Sequence, residues 1–315
     1  MNFIEKKIAE LHQYMPDQTA PEDLDQFWER TLQGASQKPL HAKRELVPCL
    51  SPYMTTYKVT YEGYDQTAIH GWYILPKFVD AEAGPLPCIV QYHGYHGSKS
   101  VPESYTNWLM MGYVVFAMDV RGQGGETGNL LPQSHGMTKG WITQGLLQPE
   151  QSYYQAITVD ALKALEWVRQ QPEVDAARII VAGASQGGGL ALIVSALSDI
   201  PSRTVADIPN MCHMDFGIFN SVGSLSEAAS FVMTYPEHLE RVLRTLSYFD
   251  SLNLTNRLTK PVFMSVGLKD PICQPETVFA VYNRIASPKE IHVYPFNGHH
   301  TSGDHFGRII QFLRG

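Results

Sequence analysis

Apolar residues along this chain fall into two rhythms. The runs CIVQYHG (88–94), YVVFAMDV (113–120), RIIVAGA (178–184), PVFMSVGL (261–268) and EIHVYPF (290–296) are short and nearly continuous. Their length and β-branched content fit strands buried on both faces. YKVTYE (57–62) and IHGWYIL (69–75) read as a hairpin turning around Gly63 to Gln66. Residues 150–171, 186–198, 274–286 and 304–313 instead space their apolar positions three or four apart and predict helices. A shorter helical stretch lies near Ser104 to Met111. Strands alternating with helices imply a mostly parallel sheet covered on both faces. No repeat or low-complexity linker divides the pattern, so one α/β domain is expected over 1–315, with 1–55 as an N-terminal helical extension.

Two segments fall outside this alternation. Residues 121–149 hold seven glycines and little periodicity, yet include Trp141, Ile142, Leu146 and Leu147. Loops beyond about 12–15 residues are uncommon and usually functional or disordered, and these apolar side chains argue against disorder. The segment is therefore expected to be a lid or a subunit contact, since exposed apolar patches mark interaction sites. Residues 211–255 insert further helical material, including HLERVLRTLSYF (238–249), which suits a lid over the nucleophile half.

Composition then narrows the class. Apolar residues at 44% and charged residues at 17% describe an ordinary globular core. A net charge of −7 and the lack of a Lys/Arg run argue against binding nucleic acid or anionic lipid. Four cysteines lie far apart without a CxxC pair, so no disulfide framework is expected. The stretch MNFIEKKIAELHQYMP lacks the apolar centre of a signal peptide, and no run of about 18 apolar residues could span a membrane. A cytoplasmic location is the expectation.

The candidate chemistry starts at GASQGGG (183–189). Gly183-Ala184-Ser185-Gln186-Gly187 is G-x-S-x-G between a strand and a helix, the context that a nucleophile elbow requires. Glycines two residues either side of Ser185 remove Cβ atoms that would clash in so sharp a turn. The amide of Gln186, at the helix start, points toward a developing oxyanion with the helix dipole behind it.

A serine is a weak nucleophile until a base, oriented by an acid, takes its proton. In a fold of this kind the chain order is Ser, acid, His. Asp270, in MSVGLKDPICQP, comes just beyond the strand 261–268, although an aspartate before Pro271 is also a common turn former. Glu276 and Asp250 are weaker rivals, since neither ends a strand. YPFNGHHTSGDH offers His299, His300 and His305 after the last strand. His299 follows the tight Asn297-Gly298 turn and is the preferred base. His300 would point elsewhere, and His305 falls in the final helix. A second oxyanion donor is expected from QYHGYHGSKS (91–100), where Tyr95 follows His93-Gly94. His93, His96, His299 and His300 are numerous, but they lack metal-ligand spacing and acidic partners, so no metal is expected.

Taken together, YHGYHG, RGQGG (121–125), GASQGGG, TLSYFD (245–250), GLKDPICQP and GHH resemble carbohydrate esterase family seven, the acetyl xylan esterases and cephalosporin-C deacetylases. The resemblance runs from DLDQFWERTL (23–32) to the final helix. It implies an α/β-hydrolase fold, Ser185 as nucleophile, Asp270 as acid, His299 as base, and the Tyr95 and Gln186 amides as oxyanion hole, with no cofactor. Where the family usually has glutamate after its histidine, this chain has His300, which leaves the source of support for the His299 loop open. Arg121, Gly122 and Gln123 are read as scaffold, a guanidinium pinning loops through carboxylates or carbonyls.

The implied reaction is two-step deacetylation of small acetylated sugars, xylooligosaccharides and cephalosporin C through an acetyl-enzyme. The resemblance also implies a homo-hexamer, with residues 126–149 at subunit contacts and the active sites facing an internal cavity. The rivals are another hydrolase of this fold, such as a thioesterase or peptidase, and a non-catalytic binding scaffold. Such scaffolds typically lose triad members, and none is missing here.

Overall fold

Nine strands form one sheet in the computed structural model, which describes residues 1–79, 84–135 and 139–315. They are β1 (Lys43–Val47), β2 (Met54–Glu62), β3 (Ala68–Pro76), β4 (Leu86–Tyr92), β5 (Val114–Met118), β6 (Val174–Ala184), β7 (Arg203–Asp207), β8 (Val262–Gly267) and β9 (Lys289–Tyr294). Their order is β1-β2-β3-β5-β4-β6-β7-β8-β9. The first three form an antiparallel meander, β3 meets β5 antiparallel, and every pairing from β5 to β9 is parallel.

Side chains alternate across this sheet into two cores. Val114, Phe116 and Met118 of β5 face one core, with Ile179 and Val181 of β6. Val115, Ala117, Ile180 and Ala182 face the other. The first core is roofed by α1 (Phe3–His12), α2 (Leu24–Ser36), α4 (Tyr153–Arg169), α5 (Gln186–Leu197) and α9 (Pro275–Arg284). The second is covered by α3 (Thr106–Met110) and α10 (His305–Arg314). The insertion supplies α6 (Met214–Asn220), α7 (Leu225–Thr234) and α8 (Leu239–Ser247), which add Ile218, Phe231 and Val242 to the first core. No helix among the described residues is long and apolar enough to cross a membrane.

Two strands escape the apolar pattern. β1, KRELV, is an edge strand exposed along most of its length, so its residues carry no alternation. It is held by Arg44, whose guanidinium lies 3.9 Å from the Tyr57 ring centre and pairs with Glu173 at 2.7 Å. β7, RTVAD, buries only its three central residues, and its two parallel neighbours define it as a strand. The 1–55 extension thus contains β1 as well as two helices.

The segment 121–149 departs from expectation. Ile142 and Leu146 are buried in the molecule's own core, and Trp141 and Leu147 pack half-buried against it. The reading of Ile142 and Leu146 as exposed side chains facing a partner is corrected, since both are buried in this chain's own core and α4 and α7 contact the 141–143 turn. Residues 136–138 lie outside the described residues.

Buried ion pairs fix where this segment leaves the sheet. Arg121 is fully buried, and its Nε and Nη2 donate to the two carboxylate oxygens of Asp160 at 2.6 and 2.8 Å. Its Nη1 reaches Asp65 at 3.0 Å. Nearby, Lys99 pairs with Asp119 at 2.8 Å and with Glu126 at 2.6 Å. Removing one partner of a buried pair strands the other charge, at a cost of about 3–5 kcal/mol. Arg121→Ala is expected to lower unfolding stability by about that amount in a denaturant titration, and a loss below about 1 kcal/mol, as for an exposed pair, overturns the anchoring role.

Candidate active site

The turn from β6 into α5 is built by close backbone approaches. Ser185 has φ 57° and ψ −121°, a conformation that residues with side chains rarely adopt and that costs about 1–3 kcal/mol. A Cβ on Gly183 would strike the main chain of Gly187, and one on Gly187 would strike the Tyr92 carbonyl at the end of β4. The strain is held by hydrogen bonds. The Ser185 amide donates to the Asp207 carbonyl at 2.9 Å, and the Ser185 carbonyl accepts from the Asn210 amide at 2.9 Å.

Asp270 and His299 meet above the neighbouring strand ends. His299 Nδ1 donates to Asp270 Oδ2 at 2.7 Å, while Asp270 Oδ1 accepts the main-chain N–H groups of Ile272 and Cys273 at 2.8 and 3.0 Å. Asp270 is only 3% exposed, so its carboxylate is aimed by the fold and not by solvent. With Nδ1–H committed to Asp270, the Nε2 lone pair of His299 is the one left to take a proton.

Cys273 is buried beside the acid. Its main-chain N–H holds Asp270. Burial pushes its thiol well above the usual cysteine range, which keeps it protonated. The loop carrying His299 is supported from the β8 side. The Lys269 amide donates to the Asn297 carbonyl at 3.1 Å, and a Cβ on Gly267 would strike the carbonyls of Asn297 and Gly298. This seam supplies the support that His300 does not.

The rival residues sit elsewhere. His300 is exposed, and its recorded bonds come from its main chain. His305, at the start of α10, bonds Asp207 through Nε2 at 2.6 Å and the Tyr294 hydroxyl through Nδ1 at 2.7 Å. Glu276 pairs with Lys7 at 2.7 Å. Asp250 accepts the amides of His213, Met214 and Leu252, and complete burial pushes its carboxyl up to about 7.

Across from the acid and base, the loop after β4 passes over the serine. An ideal Cβ on Gly94 would lie 3.5 Å from the Ala184 carbonyl oxygen and 3.6 Å from Ser185 Cβ, so the Gly94 main chain runs close to the candidate nucleophile. His93 pins the loop. Its Nδ1–H donates to the Gly94 carbonyl at 2.8 Å, and its Nε2 accepts the Val120 amide at 2.8 Å. Burial lowers its pKa, in keeping with a neutral ring whose two nitrogens are both engaged.

Gln186 opens α5 with its side chain anchored, its Oε1 accepting from Gln123 Nε2 at 2.9 Å. Gln123 also donates to the Tyr153 hydroxyl, which in turn donates to the Arg121 carbonyl. Sequence reasoning placed Gln123 in the scaffold. The structure puts it in contact with a candidate oxyanion residue, and only the RGQ spacing ahead of SQGGG could have signalled the link. No group of His, Cys, Asp and Glu side chains able to hold a metal occurs among the described residues.

The family model for acetyl xylan esterase (AXE1) matches residues 1–315. The chain belongs to the acetyl xylan esterase family. The acetyl xylan esterase from Paenibacillus sp. R4 superposes with a TM-score of 0.94 at 38% identity, covering 100% of this chain and 99% of that one. Acetyl xylan esterase 1 from Thermoanaerobacterium sp. JW/SL YS485 gives 0.90 at 30% identity, over 99% and 98% of the two chains. Acetyl esterase Axe7A of Xylanibacter ruminicola is 26% identical over 295 residues, 90% of this chain, and the chain spans 64% of that relative's length. The fold is that of an α/β-hydrolase, and the family is one of carboxylic ester hydrolases.

The two adjacent histidines differ sharply in setting, which gives a test. His299→Ala is expected to lower kcat on a chromogenic acetate by about 10⁴-fold or more, as loss of a triad member does. His300→Ala should keep most of the activity. The reverse pattern would move the base by one residue.

Proposed function

We propose that this member of the acetyl xylan esterase family is a serine esterase removing acetyl groups from acetylated xylooligosaccharides and other small acetyl esters, cephalosporin C among them. The observation that carries the reading is the 2.7 Å pair of Asp270 and His299, supported by a serine held in an elbow at the end of β6. His299 Nε2 takes the Ser185 hydroxyl proton as Oγ bonds to the acetyl carbon and the carbonyl electron pair moves onto oxygen. The main-chain N–H groups of Tyr95 and Gln186 receive that oxyanion, each donor of this kind being worth about 3 kcal/mol. Collapse of the intermediate breaks the bond to the sugar oxygen, which takes the proton from His299, and an acetyl-enzyme remains. Water, giving its proton to His299, then adds to the acetyl carbon, and collapse breaks the bond to Ser185 Oγ, which takes that proton back as acetate leaves. Asp270 keeps the tautomer correct and stabilises the imidazolium. No cofactor enters this scheme.

The chain is further proposed to act as a homo-hexamer in the cytoplasm. Four free cysteines suit a reducing compartment, and the family resemblance supports the assembly. With Ile142 and Leu146 buried, side-chain exposure in 121–149 no longer argues for it. Light scattering at micromolar concentration is expected to give six copies of a 35.3 kDa chain, and a stable monomer would remove the proposal.

Ser185→Ala is expected to fold normally and lose about 10⁴–10⁶-fold in turnover, judged by what a missing triad serine costs elsewhere. Rates on p-nitrophenyl esters should fall from acetate to hexanoate. Acetylated xylobiose should be deacetylated much faster than polymeric acetylxylan. Near-native turnover by folded Ser185→Ala would sink the mechanism, and a rise with acyl length would sink the acetate preference.

A further inference from the structure

One side chain at the site is tied to three separate parts of the fold. Tyr95 donates its hydroxyl proton to Glu227 Oε2 at 2.6 Å, a short bond of the charge-assisted kind. The same hydroxyl oxygen accepts the main-chain N–H of Trp141 at 2.9 Å. Edge-on ring contacts to His96 and Trp141, with centres 4.5 and 5.2 Å apart, close off the remaining freedom of the phenol.

Glu227 lies in the first turn of α7, where the helix dipole favours a carboxylate. It also presses against Gly140, which has φ 97°, and a Cβ there would strike the Glu227 carboxylate. One carboxylate therefore joins the helical insertion, the 121–149 segment and the loop whose Gly94 runs so near Ser185 that an added Cβ would touch it.

We infer that Glu227 is a positioning residue for the reaction: through the Tyr95 hydroxyl it sets the Gly94-Tyr95 main chain, and so places the Tyr95 N–H at the oxyanion. The inference rests on the proposed role of that N–H. Glu227 itself need not touch substrate. The geometric argument is one of leverage, since the phenol ring links its anchored hydroxyl rigidly to the Tyr95 Cα. With the hydroxyl released, the backbone amide loses the far end of its brace, and a misplacement of about 1 Å at a reacting centre can cost about 10²-fold in rate. The carboxylate is the stronger acceptor, so the brace also depends on its ionisation. Burial raises the Glu227 pKa, opposed by the Tyr95 hydrogen bond and by the nearby His96 and Lys139. As pH falls, protonation weakens the bond and kcat should fall with it.

The test uses the full chain and four variants, Glu227→Ala, Glu227→Gln, Tyr95→Phe and the double Glu227→Ala/Tyr95→Phe, assayed on p-nitrophenyl acetate. Inhibition by phenylboronic acid, whose tetrahedral adduct places an oxygen in the oxyanion hole, is measured alongside. Glu227→Ala is expected to lower kcat by about 10- to 100-fold with KM changed little, and to weaken the boronate by a similar factor. Tyr95→Phe should match it, and the double variant should lose no more than either single, the non-additivity of two groups in one bond. Glu227→Gln, which keeps the shape but offers only the neutral acceptor of the protonated acid, should fall between wild type and Glu227→Ala and lose the acid-side decline contributed by Glu227.

Kcat and boronate affinity within about twofold of wild type in Glu227→Gln and Tyr95→Phe, with the acid limb unmoved, would overturn the inference, whether or not Glu227→Ala folds. Failure of the esterase reading looks different. Ser185→Ala would then retain activity, and an organophosphate that phosphorylates active serines would not inactivate the wild type.

Discussion

The approach of Gly187 to the Tyr92 carbonyl governs most of what surrounds Ser185. At that point the end of β4 and the first turn of α5 are closer than any side chain on residue 187 allows. The contact lets α5 start directly from the end of β6 and forces Ser185 into its unusual backbone angles. It also brings the loop after β4 across the top of the serine. Strain of a few kcal/mol at one residue persists only where the surroundings over-determine it. Here they do so through the carbonyl of Asp207, the amide of Asn210 and an α5 buried almost throughout its length.

Around that turn, the candidate site is arranged by strand ends and not by flexible side chains. Asp270, the proposed acid, follows β8 and His299, the proposed base, follows β9, and these two parallel strands are in register from Val262 with Lys289 to Gly267 with Tyr294. Their loops are then stitched by main-chain bonds, so the separation of Asp270 from His299 is inherited from sheet spacing. The polar scaffold behind the site follows the same logic. Arg121, Gln123 and Tyr153 form a continuous run of hydrogen bonds from Asp160 to Gln186. The run leaves Gln123 Oε1 and Gln186 Nε2 buried without a partner, so its order rests on the Arg121–Asp160 pair more than on full pairing of the amides.

Much of this was legible in the sequence, for a physical reason. Strands buried on both faces leave continuous apolar runs, and β4, β5, β6 and β8 all showed them, while β9 is a partly buried edge strand whose Ile291 and Val293 alternate with polar residues. The elbow requires glycines at fixed offsets, and a base loop requires a tight turn such as Asn297-Gly298. What escaped detection was set by tertiary partners. β1 is an exposed edge held by Arg44 and Tyr57, and β7 is a strand because of its neighbours. Trp141, Ile142 and Leu146 are apolar in sequence whether they face a second copy or their own core. The contact of Gln123 with Gln186 spans 63 positions, and that of Tyr95 with Glu227 spans 132, so no local pattern encodes either.

The bond from the Ser185 amide to Asp207 has a consequence for biosynthesis. Asp207 also accepts Ser265 of β8 at 2.9 Å and His305 of α10 at 2.6 Å, so the floor beneath the nucleophile is finished by residues translated long after it. A nascent chain that has emerged as far as α9 carries Ser185 and Asp270 but neither the imidazole of His299 nor the clasp of His305. Long-range parallel pairing is slow, and it exposes apolar strands while it waits. On the proposed assignment the base joins the site only when β9 and α10 dock, so activity would itself report that folding has run to completion.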